Sequence, residues 1–396
     1  MSEIIARIFL KPGKEQSLKR FHPWVFSGAI GKSEGKPEEG DPVNVYSADG
    51  EFLAMGHCQI GSIAVRILSF EAVNPDFDFW KTKIEKAWNV RKTLGLTENR
   101  ETSVFRLVHA EGDGMPGLIV DFYNGTAVMQ MHTVGMYLVR DLLTKALHEV
   151  LGDKLKAVYD KSEKSLPFKA GVDSVDSYLF GENKETEVLE NGLRFKVDWL
   201  EGQKTGFFID QRENRQLVQH FSKNRDVLNM FCYTGGFSFY AMKGEARLVH
   251  SVDSSAKAIE LTNHNVELNF PDDNRHEAFA ADAFEFMRDI KDRYDLIILD
   301  PPAFAKHRDA VHQALQAYKR INTRAFEQIR SGGILFTFSC SQVVSKEKFR
   351  EAVFSAAAIS GRNVRILHQL TQPADHPVNI YHPEGEYLKG LVLYVE

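Results

Sequence analysis

Short apolar runs separated by turn formers open this chain, and their period is that of strands. Val43-Asn44-Val45-Tyr46 and Phe52-Leu53-Ala54-Met55 flank Asp49-Gly50, a hairpin signal, and an apolar-rich run over 63–68 adds a further strand. The spacing changes after Asn74-Pro75, where Ile84, Ala87, Trp88 and Leu94 fall at helical intervals and predict a linker helix over 79–94. A Gly-rich stretch over 111–117 then leads to strands over 118–122 and 127–132, joined by an Asn124-Gly125 turn. A helix over 136–151 and a strand over 155–160 follow. From about Val188 strands alternate with helices in the way that builds a parallel sheet. Strands are expected over 227–229, 248–253, 277–281, 295–300 and 334–339, with helices starting at 237 and spanning 256–269, 283–290 and 311–329. The fold class is therefore α/β. A small β-barrel domain over 1–72 and a small central α+β domain over 73–186 precede a doubly wound, Rossmann-like domain over 187–396.

Length supports this division, since 396 residues exceed one ordinary core. No apolar run approaches the roughly 20 residues of a membrane span. The first ten residues carry Glu3 and Arg7 and lack the pattern of a signal peptide, so the expected location is the cytoplasm and no membrane partner is expected. Cys58, Cys232 and Cys340 form no close pair, which argues against a disulfide framework and predicts no metal site. A net charge of -5 removes overall basicity as a sign of nucleic-acid binding. The opening segment is nonetheless locally basic, with Lys11, Lys14, Lys19 and Arg20 leading into His22-Pro23-Trp24-Val25-Phe26. Two readings stand: a solvated loop beside a core Trp24, or an RNA-contacting patch of Lys19, Arg20, His22 and Trp24.

In a doubly wound sheet, ligands bind beyond the carboxyl ends of the strands, where this chain repeatedly places unusual residues. The first strand runs into Asn229-Met230-Phe231-Cys232-Tyr233-Thr234-Gly235-Gly236-Phe237, whose paired glycines permit a tight turn and close approach to a ligand. Asn229, Phe231, Tyr233, Gly235 and Gly236 are the cofactor candidates of this turn. Asp253 ends the next strand, suited to accept hydrogen bonds from both ribose hydroxyls of a nucleoside. The turn is neither a G-x-G-x-x-G fingerprint nor a phosphate-binding loop, which favours a nucleoside without pyrophosphate. Asp282 is suited to an adenine amino group or to a helix N-cap, roles that can coexist. Asp300-Pro301-Pro302-Ala303-Phe304 leaves the most hydrophobic strand with a backbone fixed by two prolines, holding Asp300 at the centre of the site. Cys340 emerges at the next strand end, within Phe338-Ser339-Cys340-Ser341, as a candidate nucleophile facing Asp300. Cys58 and Cys232 read as small buried hydrophobes.

Together these stretches resemble the bacterial ribosomal large-subunit RNA methyltransferase I family. The resemblance rests on 229–237, Asp253, Asp300-Pro301-Pro302-x-Phe304 and Thr337-Phe338-Ser339-Cys340-Ser341. It extends to Lys204-Thr205-Gly206-Phe207-Phe208-Ile209-Asp210-Gln211-Arg212, to 22–28 and to Ala374-Asp375-His376-Pro377, and so covers almost the whole chain. It implies an N-terminal PUA domain for RNA, a small central domain and a Rossmann-like domain that binds S-adenosyl-L-methionine. It further implies formation of 5-methylcytosine in 23S ribosomal RNA, with Cys340 adding to cytosine C6 and Asp300 holding the N3 and N4 edge. Phe207, Phe208, Asp210 and Gln211 become cofactor neighbours on the same ground. Read without the resemblance, 204–212 is a loop entering a helix, with Asp210 as an N-cap. Many RNA cytosine-5 enzymes carry a second Cys after the proline of this motif, whereas here Ala303 stands there. Asp375 or His376 is a candidate base for the elimination step. Two rival readings are methylation of a purine nitrogen, which needs no cysteine, and an RNA-binding assembly factor without turnover. A homodimer is left open.

Overall fold

Alternation in the opening segment becomes a sheet, because one face of each strand is apolar. Val43 and Val45 are fully buried while Asn44 between them is not. The structure, a computed structural model, describes residues 4–167, 171–184 and 186–396, so Glu3 of the chain start lies outside the described residues. Two compact units divide the chain. The first comprises Met1–Gly192, Val197–Ile209 and Ala374–Gly385, and the second Leu193–Lys196, Asp210–Pro373 and Glu386–Glu396.

In the first unit a six-stranded sheet runs in the order Trp24–Phe26, Ile63–Ser69, Phe52–Cys58, Pro42–Tyr46, Ala6–Leu10 and Ile30–Glu34. The expected hairpin is its centre. Gly56 is required where two strands meet, since a Cβ there would lie 2.2 Å from the Arg66 carbonyl oxygen. A five-stranded sheet follows, ordered Ser177–Phe180, Ala157–Asp160, Thr126–Met131, Leu118–Tyr123 and Val104–His109. The linker helix forms over Phe77–Thr93, started by Asp76, whose carboxylate accepts the Phe79 N–H at 3.0 Å. It buries Trp80, Ile84, Ala87 and Arg91. Met55 and Leu68 of the first sheet belong to one hydrophobic cluster with Trp80, Ile84 and Leu118, while Ile8, Val25, Val43 and Val65 form a separate core within that sheet.

The helix expected over 136–151 is two helices, Val134–Leu138 and Arg140–Leu151. Thr133 caps the first by accepting the Met136 N–H, which starts it earlier than the apolar spacing indicates. Its end tightens as the Val139 N–H bonds to the Met136 carbonyl three residues back.

The second unit is built on seven strands. Their spatial order is His276–Ala280, Leu248–Asp253, Asp226–Met230, Leu296–Leu299, Gly333–Ser339, Lys389–Val395 and Val364–Leu370. Counted along this sheet the order is 3-2-1-4-5-7-6, with the first five strands parallel and the penultimate one antiparallel to its neighbours. The topological switch lies between strands 1 and 4. Strand Leu296–Leu299 is entirely buried, as expected of a sheet covered on both faces. The helix expected over 283–290 spans only Ala283–Phe286. The strands Val364–Leu370 and Lys389–Val395, not among those expected from the sequence, complete the sheet. Among the described residues no helix is long and apolar enough to cross a membrane.

Candidate active site

The carboxyl ends of strands 1, 2, 4 and 5 in the second unit carry Asn229, Phe231, Tyr233, Gly235, Gly236, Asp253, Asp300 and Cys340. After strand 1 the backbone turns sharply: Phe231 and Tyr233 adopt φ of 58° and 47°, and Gly235 has φ of 83°. Non-glycine residues in this left-handed region are held there against a local cost of about 1–3 kcal/mol each, offset by the surrounding contacts. Those contacts are visible. Asp253 Oδ2 accepts the Tyr233 N–H at 3.0 Å, and the Thr262 hydroxyl donates to the Tyr233 carbonyl at 2.9 Å. A Cβ on Gly235 would lie 2.6 Å from Phe239 Cζ and 2.8 Å from Thr262 Cγ2, so only glycine fits. Gly236 then begins the helix Gly236–Lys243.

Asp253 is half-buried; its second oxygen accepts the Ser255 N–H at 2.9 Å, which fixes the carboxylate at the end of strand 2. Asn229 works differently from the expectation. It is fully buried, and its amide donates to Ser238 Oγ at 2.9 Å, which in turn meets Ser251 Oγ at 2.6 Å. Asn229 thereby ties strand 1 to the helix behind the turn. Asp282 is exposed and caps Ala283–Phe286 through the N–H groups of Phe284 and Glu285, at 2.9 and 3.0 Å.

Strands 4 and 5 bring Asp300 and Cys340 to adjacent ends, paired as far as Leu299 with Thr337. The Cys340 thiol points at the Pro301 carbonyl oxygen, 4.0 Å away. Asp300 and Cys340 are each partly exposed. The Ser341 hydroxyl donates to the Ala305 carbonyl at 3.0 Å and accepts the Ala305 N–H at 3.3 Å, clamping the two loops together. Phe304 packs on Tyr318, with ring centroids 4.8 Å apart. Burial pushes the Cys232 thiol far up, and Asp253 adds to this; burial also raises Cys58. Cys232 is buried as expected of a small hydrophobe, whereas Cys58 is only partly buried, at the end of the strand Phe52–Cys58.

The 204–212 stretch crosses from the first unit to the second. Phe207 and Phe208 belong to the first, where Phe207 is buried and the Lys204 ammonium lies 4.9 Å from the Phe208 ring centroid. Thr205 anchors this segment by donating to Asp121 Oδ2 at 2.6 Å. Asp210 and Gln211 belong to the second unit and are buried; Asp210 Oδ2 accepts the Tyr387 hydroxyl at 2.7 Å and Gln211 Oε1 accepts the Asn214 amide at 2.6 Å. Asp375 and His376 are fully buried in the first unit, where the Asp375 carboxylate accepts the Arg106 N–H at 3.0 Å. Neither side chain reaches the surface, which corrects their reading as the elimination base.

At the chain's start, Lys19 pairs with Glu51 at 2.8 Å and Arg20 is exposed. The Trp24 indole N–H donates to Glu111 at 2.9 Å, and its ring packs 4.4 Å from His382. His22 Nδ1 accepts the Trp24 N–H at 3.2 Å. Trp24 and His22 are thus bound into the first unit. Sequence reasoning passes over Tyr318 and Lys389, which lie against the 339–344 segment; the only signal is a lone lysine opening the apolar run Lys389-Gly390-Leu391-Val392-Leu393.

Residues 106–379 match the family model described as S-adenosylmethionine-dependent methyltransferase, and residues 8–70 match that of a PUA-like domain. A ribosomal RNA large subunit methyltransferase I of Aeromonas hydrophila is 38% identical over 396 residues, covering 98% of this chain and 99% of the relative. A solved structure, a candidate S-adenosylmethionine-dependent methyltransferase from Streptococcus mutans, superposes with a TM-score of 0.84 at 22% identity, covering 99% of this chain and all of the other. Another, a candidate methyltransferase complexed with SAH, gives 0.85 at the same identity and coverage. A likeness so complete over the chain means that it belongs to the ribosomal RNA large subunit methyltransferase I family, and that S-adenosyl-L-methionine is its cofactor.

Proposed function

We propose that this chain forms 5-methylcytosine in 23S ribosomal RNA, with Cys340 as the covalent nucleophile. The observation that carries this reading is the placement of the Cys340 thiol 4.0 Å from the Pro301 carbonyl, beside Asp300 at adjacent strand ends. Relatives named for the RNA of the large ribosomal subunit support the substrate.

The turn fits a nucleoside: the half-buried Asp253 is oriented by two backbone N–H groups, one on each oxygen, with lone pairs remaining for ribose hydroxyls. S-adenosyl-L-methionine, when bound, supplies an electrophilic methyl group. Phe231, Tyr233, Gly236 and Asp253 would hold it, with Asp282 at its adenine and Phe207, Phe208, Asp210 and Gln211 as further neighbours. Cytosine C5 is a poor nucleophile, so the Cys340 thiolate adds to C6 and pushes electron density onto C5. Asp300 holds the N3 and N4 edge as charge develops there. After C5 gains the methyl, loss of its proton restores the double bond and breaks the bond from C6 to sulfur. Phe304, packed on Tyr318, is turned toward the core, which supports a reading that does not need an aromatic against the base.

The test is methyl transfer to ribosomal RNA from a strain lacking the gene, followed by mapping of the modified base. A methyl group on cytosine C5 is expected. One on a purine nitrogen overturns the reading, and RNA binding without any transfer favours the assembly-factor alternative.

Asp253→Ala is expected to weaken S-adenosyl-L-methionine binding by about 1.5–3 kcal/mol, the scale of a hydrogen bond to a charged group. Titration calorimetry on the folded variant measures it; unchanged affinity rejects the ribose role. For the RNA patch, deletion to residue 72 would open the shared cluster of Met55 and Leu68, so point changes are the better probe. Lys19→Ala with Arg20→Ala should lower the slope of log affinity against log salt by about one to two. A slope equal to that of the unaltered chain removes these residues from the interface.

A further inference from the structure

Lys389 opens the strand Lys389–Val395 and pairs with Ser339, the residue before Cys340. Although cationic, it is 6% exposed. Its ammonium donates to the carbonyl oxygens of Ser341 at 2.5 Å and Val344 at 2.7 Å, which threads the cation under the turn that carries Cys340. Two carbonyl dipoles satisfy two of its three N–H groups without neutralising its charge. Burial lowers the Lys389 pKa to about 8, and the charge of Cys340 is the largest influence raising it. Lys346 and Glu386 act on it more weakly and with opposite signs, and they pair with each other at 2.6 Å. Tyr318 completes the surroundings: its hydroxyl lies 2.9 Å from Ser339 Oγ and 3.4 Å from Ser341 Oγ, and burial, with a smaller contribution from Cys340, keeps it a neutral phenol.

We propose that Lys389 is a positioning residue that stabilises the thiolate of Cys340: anchored by two carbonyls of the 341–344 segment, its ammonium is the positive charge beside which the thiol releases its proton to solvent. The proposal rests on the reading of Cys340 as nucleophile and names what activates it. A thiol needs such a neighbour to be ionised near neutral pH, and a lysine held by backbone carbonyls keeps its place through each turnover.

The test reads Cys340 itself. Full-length protein is alkylated with iodoacetamide from about pH 6 to about pH 10, and peptide mass spectrometry separates Cys340 from Cys58 and Cys232. Lys389→Met should move the Cys340 midpoint up by at least about one unit, slowing alkylation at neutral pH about tenfold, while Lys389→Arg, which keeps the charge, recovers most of that loss. A midpoint unmoved in folded Lys389→Met overturns the proposal. The reciprocal measurement leaves the lysine in place: in Cys340→Ala, carbon NMR of the lysine side chains should show the Lys389 pKa falling, and an unchanged value also overturns it. Failure of the parent reading looks different. If both shifts occur while Cys340→Ala retains full methyl transfer, the pairing stands and the cytosine-C5 chemistry falls. If Cys340→Ala abolishes transfer but the midpoint does not move, the pairing alone falls.

Discussion

Replacing Cys340 with Ala is expected to cut the rate of methyl transfer by at least about 10³-fold, on the order of 4 kcal/mol in barrier. Covalent addition at C6 is what makes C5 nucleophilic, and no neighbouring group can take over: Ala303 occupies the place of a second cysteine, and Cys232 is buried with its thiol pushed far up in pKa. Cofactor affinity should stay nearly the same, since the turn over 231–236 and Asp253 are organised by Thr262, Phe239 and backbone N–H groups. The fold should survive the loss of one partly exposed side chain. RNA carrying 5-fluorocytosine at the target should trap the unaltered protein covalently, because fluorine cannot leave as a proton does, and should not trap the Ala variant. Near-normal turnover by Cys340→Ala, with Cys58 and Cys232 also replaced, would eliminate the thiolate mechanism and promote methylation of a purine nitrogen.

Asp113→Ala is expected to destabilise the first unit by about 3–5 kcal/mol, the range for removing one partner of a buried ion pair. Arg91 is completely buried on the helix Phe77–Thr93, and its Nη1 and Nη2 donate to the two Asp113 oxygens at 2.5 and 2.9 Å. Its remaining donors reach the Arg106 and Asp375 carbonyls, each at 2.7 Å, and the Ala87 carbonyl at 3.4 Å. Asp113 also accepts the His109 N–H at 2.6 Å, so its loss strands both a guanidinium charge and a backbone donor. All four tryptophans, Trp24, Trp80, Trp88 and Trp199, lie in the first unit, which lets their fluorescence report its unfolding in urea. Asp113→Asn keeps the shape without the charge and should fall between the two. A loss below about 1 kcal/mol at constant m-value would mean that water or a rearranged carboxylate compensates the cation.

Features that depend on neighbours in the chain were legible from the sequence. The buried strand Leu296–Leu299, the linker helix over Phe77–Thr93 and the turn through Gly235 each follow from period, capping or backbone freedom within a few residues. Parallel alternation also implies that strand ends converge, which by itself places Asp253, Asp300 and Cys340 on one edge of the sheet. Tertiary contacts decided the rest. The strand Lys389–Val395 inserts antiparallel between Gly333–Ser339 and Val364–Leu370, an order that no local period encodes. Asn229 looked like a ligand-binding amide because it sits beside the turn, and only the packing of Ser238 and Ser251 turned it inward. Asp375 likewise follows Ala374 in an apparently open loop, yet it accepts the N–H of Arg106, 269 residues away. Sequence period specifies which face of an element is apolar, because that is a local geometric property. Whether a polar group such as Arg91, Asp375 or Lys389 becomes a structural tie or a chemical tool depends on the partner that a distant segment brings to it, and only the folded chain supplies that partner.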